Sequence, residues 1–233
     1  MTLANRDSER TLAELTAPFD PGALLAGGGP WEVEIGFGKG RYLLRRALAA
    51  PGTRFLGIEV AAQYWGLLVE RMRRRGARNL LAVRGEAEAL LAALLPPELA
   101  RAVHVYFPDP WPKARHQRRR LFDPSSIDLV LGLLAPGGRL FFATDHLRYG
   151  EVVASLLAAY PGVVVTPREG PWAEGPRTNY EAKYLAEGRP ILRLEAVRRA
   201  AAGERPLHPD GWRDVAVGYR LSVPEPATRE VMA

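Results

Sequence analysis

"WEVEIGFGKGRYLLRRALAA", residues 31–50, runs from an apolar strand-like segment through a glycine-rich hinge into a helical pattern. Residues 31–36 read as a buried strand and "GRYLLRRALAA" as the helix that follows it. Between them Gly36, Gly38 and Gly40 let the backbone turn sharply and approach a ligand closely, and the helix N-terminus beyond offers unpaired N–H groups. The same alternation continues outward. "RFLGIEV" (54–60), "NLLAVRG" (79–85), "AVHVYFP" (102–108) and "GRLFFATD" (138–145) read as further buried strands. "AAQYWGLLVERMRRRG", "EAEALLAALLPPELA" and "DPSSIDLVLGLLAPGG" read as helices, the last with an Asp123 cap and a Gly-Gly stop. Strands alternating with helices at this spacing predict an α/β fold with a parallel, doubly wound sheet, its working residues just past the C-terminal strand ends.

After residue 146 come a helix, "LRYGEVVASLLAAY", a short strand near "VVVTP", a Gly/Pro-rich loop, "REGPWAEGPR", the segment "TNYEAKYLAEG" and a last strand, "ILRLEAVRR", at 191–199. The 233 residues accommodate one domain over 30–200, with residues 1–29 as an arm and 201–233 as a tail packed on the same domain. No apolar run reaches membrane length, and the first 15 residues carry acids and lack the apolar core of a secretion signal, so a cytoplasmic location is expected. The sequence leaves monomer and homodimer open.

With no cysteine, disulfides, Cys-ligated zinc, iron–sulfur clusters and thiol nucleophiles are excluded together. His104, His116, His146 and His208 are scattered without ligand spacing, so no metal is expected. Lys and Arg total 32 against 26 acids, a net charge of +6 that favours a polyanionic partner. Only Lys39, Lys113 and Lys183 are lysine, which marks those positions as ones suited to a compact ammonium rather than a planar fork.

Glu59 ends the second strand 25 residues after Glu34, where a carboxylate accepts ribose hydroxyls. A dinucleotide site prefers G-x-G-x-x-G, and here the third glycine position is Arg41. The G-x-G-x-G spacing behind Glu34 resembles instead the motif of S-adenosylmethionine-dependent methyltransferases, whose cofactor has one ribose, no pyrophosphate, and a cationic end that Glu34 can meet. Glu86, opening the helix after the third strand, stands where such folds contact the adenine; as a first-turn acid it also complements the helix dipole.

The fourth strand runs into "FPDPWPKARHQRRR", where Pro108 and Pro110 fix the backbone on either side of Asp109. Lys113, Arg115, Arg118, Arg119 and Arg120 then place five cations in eight residues with no acid among them, a density suited to a phosphate backbone. Together "EIGFGKG", "LGIEV", "FPDPWPKARHQRRR" and "TNYEAKY" resemble the tRNA (guanine-N7-)-methyltransferases, over roughly residues 30 to 195. The resemblance implies a Rossmann-like, mostly parallel sheet of about seven strands with helices on both faces and the last strand antiparallel. It implies methyl transfer from S-adenosylmethionine to N7 of guanine-46 in the tRNA variable loop. By matching positions, Glu34, Glu59, Glu86 and Asp109 would contact the cofactor, Asp109 also being catalytic. Lys113, Asp145, Thr178, Asn179, Tyr180 and Glu181 would hold the substrate. Two positions depart from the family: Glu86 replaces a shorter acid or amide, and Tyr180 stands where Phe is frequent.

Guanine N7 has a lone pair and no proton, so attack on a sulfonium methyl requires alignment more than a base. Asp109, Asp145 or Glu181 would then stabilise the charge developing on the ring and accept from the guanine edge. Tyr180 and Trp172 are aromatic faces on which a base can stack, with core packing as the plain reading of each. Three other readings stay open: a methyltransferase for exocyclic amines of adenine or cytosine, a nicotinamide-dependent oxidoreductase, and a non-catalytic RNA-binding module.

Overall fold

Fourteen strands and helices stand in the computed structural model of the chain, which describes residues 9–11, 25, 28–93, 95–109, 121–122 and 124–199. The elements are β1 (Glu9–Thr11), β2 (Trp31–Ile35), α1 (Arg41–Ala49), β3 (Arg54–Glu59), α2 (Ala62–Arg75), β4 (Leu80–Arg84) and α3 (Ala87–Ala93). There follow β5 (Ala100–Tyr106), α4 (Pro124–Leu133), β6 (Leu134–Thr144), α5 (Leu147–Ala158), β7 (Val163–Pro167), α6 (Asn179–Ala186) and β8 (Leu192–Arg198). The strands make one sheet in the order β1-β4-β3-β2-β5-β6-β8-β7. All neighbours are parallel except β8, which runs antiparallel to both β6 and β7. Seven of these strands form the mostly parallel sheet with an antiparallel last strand that was expected. The eighth, β1, is a three-residue strand on β4 inside the stretch read as an arm, and Leu25 from that stretch is buried in the core.

Period-two alternation divides each central strand between two cores. Val33, Leu56, Val103, Leu140 and Phe142 face α4 and α5 and pack there with Ile127, Leu131, Val153 and Leu157. On the opposite face Phe55 packs with Leu43 of α1 and with Leu68 and Met72 of α2. Glu32 and Glu34 share the α1 face, in register with Phe55 and Gly57 of β3 and with Ala102 and His104 of β5. Because β3 and β4 extend from one side of β2 while β5 and β6 extend from the other, the chain changes direction of travel between β2 and β5. A crevice opens at the C-terminal ends of strands at such a point.

Local boundaries differ from the sequence reading in two main places: the helix read over 86–100 is α3 at Ala87–Ala93, with Ala100 already in β5, and the end of α4 is shifted. The helix predicted to stop at the Gly-Gly pair ends as α4 at Leu133, and Gly137 and Gly138 lie in the irregular opening of β6. Pairing of Leu134 with Ala100 pulls the strand start forward, with a register shift before Arg139 meets Ala102. The Asp123 cap falls outside the described residues. No helix among the described residues is long and apolar enough to cross a membrane.

Candidate active site

The glycine turn is built by backbone geometry and tied down by a carboxylate. Gly40 caps α1 in the left-handed region at φ 64°, and a Cβ there would stand 2.6 Å from the Leu68 side chain, so only glycine fits between the turn and α2. The Gly38 N–H donates to Glu59 Oε2 at 2.8 Å, and the Ala61 N–H donates to Glu59 Oε1 at 2.9 Å. Glu59 therefore holds the turn after β2 against the end of β3, in addition to facing the cleft.

Glu34 lies beneath the same turn and is 2% exposed. The Leu43 amide, in the first turn of α1, donates to its carboxylate, but Oε2 has no partner. Burial raises its pKa to about 8, Glu59 adds to the rise, and the Leu43 amide and Arg177 oppose it. A buried carboxylate with one oxygen unmatched can accept from a cationic group.

Two adjoining hollows make up the cleft. One, of about 280 Å³, is lined by Glu34, Gly38, Lys39, Tyr64, Asn179 and Lys183 among others. The second, of about 690 Å³, is lined by Glu59, Glu86, Asp109 and Leu121 among others. Gly36, Gly38, Tyr64, Tyr106, Phe107 and Tyr180 line both, which joins them into one space. The cleft thus gathers Glu34, Glu59, Glu86, Asp109, Thr178, Asn179 and Tyr180 at the C-terminal edge of the sheet. Asp109 and Glu86 are both exposed on its wall.

Phe107 mounts Asp109. It sits at φ 53°, a left-handed conformation rare for a bulky residue and further disfavoured before a proline. Strain of this kind costs about 1–3 kcal/mol and persists only where the surroundings hold it. Here the Phe107 N–H donates to the Ala143 carbonyl at 2.7 Å, and its ring packs against Tyr184 and Tyr180 at 5.6 and 6.4 Å between centroids. The chain is thereby turned out of the sheet one residue before Pro108, and Asp109 projects at the cleft.

Two predicted substrate residues are held elsewhere. Glu181 is fully buried: Oε1 accepts from Arg193 Nε at 2.8 Å and Oε2 from the Arg177 N–H at 2.8 Å. Thr178 caps α6, its hydroxyl accepting from the Glu181 N–H at 3.0 Å. T-N-Y-E is therefore a variant of the capping box, with the glutamate reaching one residue further back than usual. Asp145 lies outside the cleft lining and pairs with Arg189 at 2.5 Å, whose guanidinium stacks 4.0 Å from the Tyr184 ring centroid. Trp172 is core, 2% exposed, while Tyr180 is 55% exposed at the mouth. Lys113, Arg115, Arg118, Arg119 and Arg120 lie outside the described residues.

Arg177 escaped the sequence reading. It is buried, with its guanidinium 3.9 Å from the Trp172 ring and 4.8 Å from that of Phe141, while Nε donates to Glu174 at 2.7 Å and Nη1 to the Tyr106 hydroxyl. Its signal was weak, one arginine among many in a Gly/Pro-rich loop. From Tyr106 the network continues to His104 Nδ1 at 2.9 Å and then to Glu32, which also accepts from Arg46 and Arg101. Burial alone would raise the Glu32 pKa, but the bonds from His104, Arg46 and Arg101 outweigh it and hold it at about 2. A larger cleft of about 790 Å³ opens over this cluster. Its Glu32 carboxylate is already bonded by Arg46 and Arg101, unlike that of Glu34.

A doubly wound sheet, a glycine turn over a buried carboxylate with one unmatched oxygen, and an Asp at the switch point define a methyltransferase. A family model described as "Putative methyltransferase" matches residues 29–194. The tRNA (guanine-N(7)-)-methyltransferase of Nitrosococcus oceani is 39% identical over 166 residues, 71% of this chain and 70% of that one. That of Mycobacterium avium is 34% identical over 185 residues, 78% of this chain and 71% of the relative. The chain belongs to the tRNA (guanine-N(7)-)-methyltransferase family. Among solved structures, the antibiotic-resistance methyltransferase Kmr superposes with a TM-score of 0.52 at 22% identity, covering 77% of this chain and 92% of Kmr. The 16S rRNA methyltransferase KamB gives 0.55 at 14% identity, covering 78% and 89%; both likenesses concern the fold.

Proposed function

We propose that the cleft binds S-adenosylmethionine and that the chain methylates N7 of a guanine in tRNA, guanine-46 of the variable loop. The observation that carries the cofactor is Glu34, a buried carboxylate with an unmatched oxygen under the glycine turn. The third glycine of a dinucleotide fingerprint is replaced by Arg41, which argues against a nicotinamide dinucleotide. A donor with a cationic end and a single ribose fits the same pair. S-adenosylmethionine supplies an electrophilic methyl group on a sulfonium. Glu34 faces the donor's positive end, Glu59 receives ribose hydroxyls while keeping its backbone bonds, and Glu86 stands on the wall suited to the adenine.

For the base, Tyr180 offers an exposed aromatic face at the mouth, worth roughly 1–3 kcal/mol in stacking. Asp109 accepts from the guanine N1–H and amino group and stabilises the positive charge the ring gains as N7 bonds to the methyl carbon and the sulfur–carbon bond breaks. No proton leaves N7, so Asp109 orients and stabilises rather than acting as a base. Lys113, four residues after Asp109 in the chain, and Asn179 and Lys183 on α6 would contact the substrate. Thr178 and Glu181 act by fixing α6, and Asp145 by holding Arg189.

The test is incubation of the full chain with labelled S-adenosylmethionine and unmodified tRNA, followed by mass mapping of the product. N7-methylguanosine in the variable loop is expected; N6-methyladenosine or a methylated cytosine amine would transfer the site to exocyclic-amine chemistry. Asp109→Ala should lower methyl transfer by at least about 100-fold with unchanged thermal stability, because the residue is exposed on the cleft wall. Wild-type activity in that variant would remove Asp109 from the mechanism.

A further inference from the structure

Helices α1 and α2 enclose a groove of about 820 Å³ whose charged lining is entirely arginine: Arg41 and Arg45 on one wall, Arg71, Arg74 and Arg75 on the other. No carboxylate lines it among the described residues. Glu70 approaches Arg74 at 3.6 Å, with both side chains mostly in solvent, and Arg71 donates to the Lys39 carbonyl at 2.7 Å. Arg41, Arg45, Arg74 and Arg75 are exposed.

The arrangement works against helix stability. Arg41 and Arg45, and Arg71 and Arg75, are like charges at i,i+4, each pair unfavourable by about 0.2–0.5 kcal/mol. Arg41 is also the first residue of α1, where the helix dipole disfavours a cation and the first turn holds no acid. Arg74 and Arg75 at the end of α2 do complement its dipole, but that explanation does not reach α1. The spacing of each row is about 6 Å along the helix axis, near the step between successive phosphates of one strand. Arg41 and Asn179 line both this groove and the hollow over Glu34, and Arg41 Nη1 donates to Asn179 Oδ1 at 3.3 Å, so the groove opens onto the cleft.

We infer that the α1–α2 groove is a second phosphate-binding track, which seats the backbone of the RNA substrate beside the base delivered to the cleft. This rests on the tRNA reading given above. Charge complementarity and continuity with the cleft identify the occupant as a strand of the same RNA molecule.

The variant is Arg45→Glu with Arg74→Glu in the full chain, which leaves the cleft-lining Arg41 intact; Arg199→Glu, at the far end of β8, is the control. Binding of unmodified tRNA is measured across salt, together with steady-state methyl transfer and calorimetry with S-adenosylhomocysteine. The double variant should weaken tRNA binding at least tenfold near 0.1 M salt and lower the slope of log K against log salt by about 1.8, two phosphate contacts. KM for tRNA should rise while kcat, cofactor-product affinity and thermal stability hold, and the control should match wild type. An unchanged slope in a variant that binds S-adenosylhomocysteine normally would overturn the groove alone. If wild type makes no N7-methylguanosine in tRNA, the functional reading fails and the groove loses its occupant with it. Arg45→Gln with Arg74→Gln, expected to lower the slope by the same amount, replaces the reversal should that fold poorly.

Discussion

Glu34 shows how one side chain couples fold, cofactor and pH. Its pKa of about 8 in the folded chain, against an ordinary value of 4.5, means that the folded state keeps a proton the unfolded state has released. Between those values stability falls as pH rises, by about 1.4 kcal/mol per unit. The groups that set this are the Leu43 amide, Arg177 and Glu59, and only Glu59 pushes in the same direction as burial. A ligand with a cationic end favours the ionised form, so binding below about pH 8 expels the proton. Calorimetry with S-adenosylhomocysteine, whose amino group keeps that charge, in buffers of different ionisation heat should show close to one proton released near pH 7 and almost none above about pH 9. Glu34→Gln should show none at either pH. Wild-type binding without proton release would mean that Glu34 does not face the cationic end. The sequence pointed to Glu34 through its place before the glycine turn; the side chains that surround it, Tyr42, Tyr106 and Arg177, come from three separate segments.

At the scale of elements, α6 is fixed by a buried ion pair that the spacing T-x-x-E only partly announced. Thr178 and Glu181 were legible as residues of interest through the resemblance, but their capping role was not read, and the partner Arg193 arrives from β8. Removing Glu181 leaves Arg193 and the Arg177 amide without their acceptor in a buried setting. Glu181→Ala should therefore lower unfolding free energy by about 3–5 kcal/mol, whereas Asn179→Ala, near the surface of the same helix, should stay within about 0.5 kcal/mol. Urea titration of both variants checks this. A Glu181→Ala protein with wild-type stability and no activity would instead make Glu181 a direct substrate contact. The strands and helices themselves were largely readable, because a strand buried on both faces leaves a short continuous apolar run and an amphipathic helix a 3.6-residue period. β1 was not, since three residues carry no period, and the start of β6 was not, since pairing with Ala100 decides it. The left-handed Phe107 was equally hidden: its conformation is imposed by Ala143 and two tyrosines from α6.

Over the whole molecule, the switch point between β2 and β5 places the cleft at the C-terminal edge of the sheet, and the arginine-lined groove opens onto it. Six net positive charges do not by themselves locate a nucleic acid. What does is the placing of a groove whose charged lining is arginine next to a cleft that holds Glu34, Glu59, Glu86 and Asp109, since the first attracts a polyanion and the second offers acceptors to a base edge. The block Arg118, Arg119 and Arg120 follows Asp109 in the chain, and the α1–α2 groove lies on the glycine-turn side of the cleft. If each holds a different stretch of RNA, their effects on the salt slope are independent and additive. Reversal of Arg118, Arg119 and Arg120 should lower the slope by roughly 0.9 for every phosphate those arginines neutralise. Combining it with the Arg45 and Arg74 reversals should give the sum of the two decreases. A combined decrease no larger than either alone would mean that both sets of arginines serve one phosphate cluster, and the two-track arrangement would collapse to a single binding surface.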